Sequence, residues 1–577
     1  MESQGYRFGM RQPANRMKLT FHLPKSIDFK LLDQWILDAL EFDVKSYQLS
    51  FLGDTATGRP AEKYLSRWLC ITTILLQDIR VPVFERAAIS HLANDQNSPH
   101  HFVVDLWFPV VQHFPAKVFH AWLSIAYELI SEVLKHADDQ SMIESIYQAF
   151  QKKHVLPWSA QIPGGKSSIP ILQAAFEAEI PFAHCGFGCY VLGWGAQSRI
   201  FDRSSNMLDS AIGAKTTLYK HKALRWMRSS GIPVPSGSVF KSGQPLTLAS
   251  LSHLRLPLVV KPVDRDRGEG VTLGINTEAA LQSAINLAAL LSKQFLVEEQ
   301  IAGTCHRILV IDGKVVYAVK RHPKSVVGDG IQTIAALVDQ LNASIRRKIP
   351  NKRLPEYHLD ELALDCLSTS GMSPKSVLAP GEKAFLRPAQ STLWGGDPEE
   401  VTSALHPDNA ALAIRAARLF GLNCAGVDFI STDIARPWHD NGAVINEVNY
   451  SPVMGRTHPF QRRAARAYMR SIFPSKGKIP IDVFVGSGYR SNAVRLWQQQ
   501  VASGRRTVFC TDEGILAQDG QPLHLAGPSS AYEKIAMLRT DSTIDGLIVH
   551  ADRLDLLAAS GLPFEYASMH FSGDTRT

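Results

Sequence analysis

The chain is poor in cysteine, in long apolar runs and in repeats, and each shortage excludes something. Seven cysteines in 577 residues (Cys70, Cys185, Cys189, Cys305, Cys366, Cys424 and Cys510) are odd in number and scattered. That argues against a disulfide framework and for a reducing cytoplasm. Cys185 and Cys189 are the one close pair, and with no second pair to complete a zinc set they read as buried small hydrophobes. No stretch reaches the ~18 apolar residues a membrane span needs, and the opening MESQGYRFGMRQPANRMKLTFHLP lacks the apolar core of a secretion signal. Charge is nearly balanced, with 61 Lys and Arg against 54 Asp and Glu and a net charge of +7. No nucleic-acid-reading motif with interleaved aromatics accompanies it. Basic residues do cluster, at Arg346-Arg347-Lys348 with Lys352-Arg353 and at Arg462, Arg463, Arg466 and Arg470. The second set has helical spacing, which favours a solvated helix face over an anion-attracting surface.

What the chain has is length, at a composition of 45% hydrophobic and 20% charged residues. So long a chain divides into roughly three or four domains, and alternating strand and helix patterns make it a multidomain α/β chain. Residues 1–160 mix helical and extended patterns, with a helix expected near Val118–Ala137 and no visible chemistry. IPGGKSSIP, at Ile162–Pro170, breaks the pattern and places a boundary there. Residues 161–475 alternate strand and helix: LRLPLVVKP, TEAALQSAINLAALLSKQ, FLVEEQI, HPDNAALAIRAARLFGL, CAGVDFIST and AVINEVNYSP. RILVIDGKVVYAVKR reads as a hairpin turning on Asp312-Gly313. PSKGKIP is a linker, and residues 476–577 open with one more strand–loop–helix unit.

The strongest candidate site is a set of oxygen donors on two strands, Asp428 in AGVDFI with Glu447 and Asn449 in NEVNYSP. Glu447 and Asn449 share one strand face. If the strands are neighbours, Asp428 joins them, and two carboxylates with an amide oxygen suit Mg²⁺. Lys261, in VVKP ahead of DRDRGEGV, can act on phosphate, where Gly268 and Gly270 let backbone N–H groups approach. Lys220 is a second candidate of that kind. Glu298, at the end of a strand, can accept from an adenine amino group. Taken singly, each of these residues also fits a plain turn or a solvated surface charge.

In the order Lys220, Lys261 with its glycine loop, Glu298, Asp428 and Glu447-x-Asn449, they resemble the ATP-grasp superfamily over roughly residues 210–460. GIPVPSGSVF, PLVVKP, VVGDG, HPDNAALAIRAARLFGL, AGVDFIS and NEVNYSP resemble the cyanophycin synthetase family, as does VLGWGAQSR, and the N-terminal region weakly so. The resemblance implies an α+β N-terminal domain (1–160), an ATP-grasp ligase domain (161–475) and a truncated Mur-ligase-like α/β domain (476–577). It assigns Lys220, Lys261, Gly268, Gly270 and Glu298 to ATP and Asp428, Glu447 and Asn449 to Mg²⁺. Arg307 and Arg321 match arginines facing the peptide substrate. Ser167, Ser168, Gly328, Asp329, Gly330 and Trp394 fall to substrate.

Two departures narrow the expectation. In IPIDVFVGSGYRSNAVRLW, Gly486 stands where the Mur-type phosphate loop has its glycine, but Tyr489, Arg490 and Ser491-Asn492 replace the close-approach glycine and the Lys-Thr-Thr. That implies an inactive second site and a short class polymerising ready-made β-aspartyl-arginine dipeptides. Within the ATP-grasp region Cys305 stands for a usual Asp, Arg267 for a usual His, and Leu393-Trp394-Gly395-Gly396 for a Ser-Thr-Gly-Gly segment. A different arginine-containing building block is therefore a second reading, and a non-catalytic nucleotide- or polymer-binding subunit a third. The family resemblance further implies a homo-oligomer with ATP, dipeptide and peptide polymer as partners. The cysteine pattern and the lack of long apolar runs and nucleic-acid-reading motifs lead one to expect a cytoplasmic protein with no nucleic acid or membrane partner.

Overall fold

A computed structural model describes residues 5–6, 10–39, 59–95, 98–162, 165, 167–265, 269–347, 356–387, 396, 398–455, 458–527, 531–553 and 567–571. The chain forms two compact units, one chiefly of residues 1–203 with 469–577, the other of 204–348 with 352–468.

In the first unit, a four-stranded antiparallel sheet runs Gly5–Tyr6, Pro13–His22, Ser98–Pro109, Ala88–Asp95. Along PANRMKLTFH the period-two alternation turns Met17 and Phe21 inward and Arg16, Lys18 and His22 outward. Helices Pro60–Asp78 and Ala116–Lys135 pack together, and Trp68 Nε1 donates to the Leu123 carbonyl at 2.7 Å. The helix expected near Val118–Ala137 is thus present, started two residues earlier by Pro115 at its N-cap. The expectation for Cys185 and Cys189 is overturned: Cys185 is exposed and Cys189 half-buried. They flank a hairpin tip, Gly186-Phe187-Gly188, in which all three residues take positive φ, so neither thiol lies deep enough in the sheet to be covered. Residues 481–571 form a sheet ordered Ile515–Leu516, Thr507–Thr511, Gly546–Ala551, Ile481–Val485, Ala567–Phe571, parallel except for the first pairing. Helix Arg490–Ala502 follows its first strand through a short turn at Ser487–Tyr489.

The second unit holds two larger antiparallel sheets, besides a two-stranded pairing of Ser325–Val327 with Lys383–Phe385. One, ordered Thr272–Ile275, Leu258–Pro262, Gln294–Glu299, Gly237–Lys241, is covered by helix Glu278–Leu291, whose N-cap Thr277 accepts from Ala280 N–H. The other is ordered Pro398–Glu400, Lys314–Arg321, Thr304–Ile311, Cys424–Ser431, Val444–Tyr450. Asp312 (φ 49°) and Gly313 (φ 69°) both take the left-handed conformation that closes a tight hairpin, as DG between β-rich arms leads one to expect. Helix Pro407–Leu419 presents Leu412, Ala413 and Ala416 to a core shared with Met227, Ile308, Val427, Phe429 and Ile445. The four arginines from Arg462 to Arg470 lie exposed along helix Pro459–Ile472, the solvated face anticipated, with Arg463 paired to Glu400.

Val427 and Phe429 point into this core, and alternation sends Asp428 to the other face. Phe429→Ala should therefore lower unfolding free energy by about 3–5 kcal/mol, as for other fully buried phenylalanines, measured by urea titration.

Candidate functional site

Three neighbouring strands carry one row of charge. Arg307 lies directly opposite Asp428, and Asp428 directly opposite Glu447. The neighbouring strands on which an Asp428–Glu447–Asn449 set depends are therefore present. Arg307 grips Asp428 side-on, with Nε at 2.5 Å from Oδ1 and Nη2 at 3.1 Å from Oδ2. Arg321, across the hairpin, brings Nη1 to 3.5 Å from Asp428 Oδ2 and also hydrogen-bonds the Cys305 thiol. Burial by itself would raise the pKa of Asp428; the guanidiniums of Arg307 and Arg321 outweigh it and hold the carboxyl below its ordinary value. Burial, with Asp428 adding to it, pushes the Cys305 thiol up to about 12, so this sulfur is a protonated neighbour and not a nucleophile.

Glu447 behaves in the opposite way. Burial raises its pKa and Asp428 adds to the rise, against the opposing pull of Lys220, Arg307 and Lys261. A half-buried carboxylate facing a second one is short of positive charge. Beside it, Asn449 donates Nδ2 to the Gly426 carbonyl at 3.4 Å, which leaves its Oδ1 as an acceptor. Among the described residues no group of three or more His, Cys, Asp or Glu gathers in a metal-binding arrangement. Two carboxylates and one amide oxygen fit a hard divalent cation that takes the rest of its shell from water and phosphate.

The register slips by one residue between Asp428 and Phe429, which makes Asn446 the extra residue of a β-bulge. The bulge links the two sheets. Lys261, 8% exposed, places Nζ 3.5 Å from Asn446 Oδ1 and 2.5 Å from Glu298 Oε1. Glu298 is itself buried, and its Oε2 has no hydrogen-bond partner among the described residues, which fits an acceptor kept for an amino group. Lys220, first residue of helix Lys220–Ser229, donates Nζ to the Arg265 carbonyl at 2.5 Å, and its charge acts on both Asp428 and Glu447. Sequence reading missed Asn446 because strict alternation along NEVNY assigns it to the far face; only the bulge returns it to this cluster.

The other expected residues distribute differently. Gly270 takes φ 72° and packs so closely that a Cβ would lie 2.8 Å from Pro262 Cγ. Gly268 and Trp394 lie outside the described residues. Gly328 donates to the Glu382 carbonyl, and Gly330 takes φ 81°. Between them Asp329 accepts from Ile331 and Gln332 N–H at 2.8 Å, and these bonds lower its pKa. Asp329 thus shapes its own turn. Ser167 and Ser168 belong to the first unit, at the start of helix Ser168–Glu177, where Ser168 Oγ is buried with no partner among the described residues.

Residues 217–329 match the RimK-like ATP-grasp domain, a span that includes Lys220, Lys261, Glu298, Arg307 and Arg321. An ATP-grasp-type α/β fold therefore carries the lysines, Glu298 and the two arginines of the site, within a multidomain chain. Over 415 residues the chain is 30% identical to the cyanophycin synthetase of Trichormus variabilis, covering 70% of this chain and 46% of that protein. It is 31% identical over 235 residues to a bifunctional glutathione biosynthesis protein of Streptococcus mutans, covering 40% of this chain and 31% of that one. The chain spans about half the length of the cyanophycin synthetases it matches. Among solved structures, a bifunctional glutathione synthetase from Pasteurella multocida aligns with a TM-score of 0.42 at 21% identity, over 62% of this chain and 52% of that one.

The raised pKa of Glu447 has a signed consequence. The folded state holds this proton more tightly than the unfolded chain, so stability falls as pH rises from the ordinary value of 4.5 through the folded value and stays lower above it. Glu447→Gln should raise the thermal midpoint at pH 8 without divalent cation and leave it nearly unchanged at pH 4. Added Mg²⁺ or Mn²⁺ should stabilise the wild type more than the variant; calorimetry across this pH range checks both.

Proposed function

We propose that this protein is an ATP-dependent carboxylate–amine ligase that extends a peptide polymer by joining β-aspartyl-arginine dipeptides to its C-terminal carboxylate. The observation that carries the reading is the meeting of Lys220 and Lys261 with the Arg321–Arg307–Asp428–Glu447 row, beside an open Glu298 acceptor. The similarity to cyanophycin synthetases over 415 residues supports the substrate class.

In this reading Glu298 accepts from the adenine amino group, and the Gly268–Gly270 loop with Lys220 and Lys261 holds the phosphates. The terminal carboxylate of the polymer attacks the γ-phosphorus, ADP leaves, and an acyl phosphate forms. The dipeptide amine then attacks the acyl carbon; phosphate departs and the amine gives up its proton. Asp428, Glu447 and Asn449 would hold Mg²⁺, which when bound neutralises charge on the transferring phosphoryl group. Arg307 and Arg321 are fixed by Asp428 before substrate arrives, so their remaining N–H donors face the reacting oxygens without reorganisation. The Gly328–Gly330 turn, Ser167, Ser168 and Trp394 are assigned to the polymer end and the incoming unit.

The reading extends to a division into an N-terminal domain (1–160), an ATP-grasp domain (161–475) and a degenerate Mur-ligase-like domain (476–577), in a cytoplasmic homo-oligomer. An inactive third domain is supported at its phosphate loop, where Arg490 is paired with Glu513 at 2.9 Å and Tyr489 occupies the turn. A second reading keeps the chemistry and changes the building block, favoured by Leu393-Trp394 where the family has a small polar pair.

Purified protein with ATP, Mg²⁺ and β-Asp-Arg should release ADP and give a mass-spectrometric ladder spaced by one dipeptide. A ladder with another arginine-containing dipeptide would select the second reading, and no ADP with any of them would overturn both. Arg321→Ala removes a charge-assisted contact and should lower kcat/KM by about 10–150-fold, with unchanged nucleotide affinity in a fluorescent-ATP titration.

A further inference from the structure

We infer that Gly426 is a positioning residue for Arg307, kept free of a side chain so that the guanidinium lies flat across strand Cys424–Ser431. The inference rests on the ligase reading for its activity arm alone.

Gly426 sits mid-strand between Ala425 and Val427, opposite Asn449 on one side and Leu309 on the other. A glycine weakens a strand interior, and it recurs there where something must approach closely. Its backbone does not take the positive φ that would itself call for glycine. Space is the remaining reason. A Cβ at this position would lie 2.7 Å from Arg307 Nη1, 3.2 Å from Arg307 Cδ and 3.1 Å from Pro452 Cβ. The 2.7 Å contact forces a shift, while the two longer ones call for a few tenths of an ångström and Pro452 is a ring with little room to give. The arginine would have to move.

What it would lose is specific. Nε and Nη2 of Arg307 are engaged by Asp428, so Nη1, with its two N–H groups, is the corner that lies over Gly426. The Gly426 carbonyl also holds Asn449 Nδ2. One residue without a side chain therefore sits beneath both a guanidinium corner with no partner among the described residues and the amide of the oxygen-donor set. Lifting the guanidinium would either loosen its side-on grip on Asp428 or turn Nη1 away from the substrate face.

Gly426→Ala, Arg307→Lys and the double variant test this, because lysine lacks the Nη1 that would lie 2.7 Å from a Cβ and keeps only the looser Cδ contact. In the Arg307 background Gly426→Ala should lower kcat/KM for the peptide substrates by on the order of a hundredfold, the cost of roughly 1 Å of misplacement. In the Arg307→Lys background the same change should cost less than about twofold. Equal losses in both backgrounds would overturn the inference, as would full activity of Gly426→Ala. A second cycle, read by urea unfolding, needs no activity: Gly426→Ala should lower the midpoint more where Arg307 is present than in the Arg307→Lys background. Equal shifts there would show a general strand defect and overturn it too. A wild type that releases no ADP from any dipeptide would sink the ligase reading, and the unfolding cycle would still decide the role of Gly426.

Discussion

The ion pair between Arg307 and Asp428 is the constraint around which the second unit is arranged. Asp428 is 5% exposed and sits in a strand whose neighbours on either side, Val427 and Phe429, are wholly buried. A carboxylate in that place is costly unless paired, and removing one partner of a buried pair costs about 3–5 kcal/mol. A buried pair gives little stability that apolar side chains of equal volume would not. Its presence in the middle of a five-stranded sheet therefore makes sense as placement of charge, not as cohesion. Asp428 is already engaged by two guanidiniums, and at Glu447 the pull of Lys220, Arg307 and Lys261 is outweighed by burial together with the Asp428 charge. Burial is the main cause of the raised pKa of Glu447, with the Asp428 charge adding to it, and a cation bound there would offset both.

The second constraint is geometrical. Two antiparallel sheets and the helix that begins at Lys220 supply the charges, and the polar side chains of the two sheets have to be brought together. The bulge at Asn446 supplies the link, setting an amide oxygen within reach of Lys261, which in turn neutralises Glu298. The fold thus fixes a lysine at the meeting point of a carboxylate already paired and a carboxylate still unbalanced. In the reading proposed above, that is where triphosphate and cation would meet.

Much of this was legible in the chain because each piece obeys a local rule. Strand parity put Glu447 and Asn449 on one face; the DG dipeptide closed the hairpin that sets Arg307 beside Arg321; the apolar runs around VVKP and AGVDFI marked the strands. What could not be read depends on three-dimensional crowding or on broken periodicity. Asn446 enters through a register slip that alternation forbids. Gly426 matters through the distance between an absent Cβ and a guanidinium one strand away. Cys185 looked like a core thiol because sequence spacing does not show that the chain turns sharply between it and Cys189.

The C-terminal strands show the same separation of cohesion and chemistry from the other side. Val483, Val485, Val508, Leu547 and Val549 fill a core beneath a parallel sheet, and none of them touches what a phosphate loop must do. The residues such a loop needs are at the turn after the first strand, where Tyr489 and Arg490 stand, the latter in an exposed ion pair with Glu513 that contributes little to stability. In the proposed reading a phosphate site there could be lost at little cost at Arg490, while Tyr489 packs against the cluster of Phe484, Ala493 and Trp497. In the second unit the chemistry cannot be shed so cheaply. Arg307 and Asp428 are part of the sheet they decorate, and replacing one without the other would leave a charge buried in its centre.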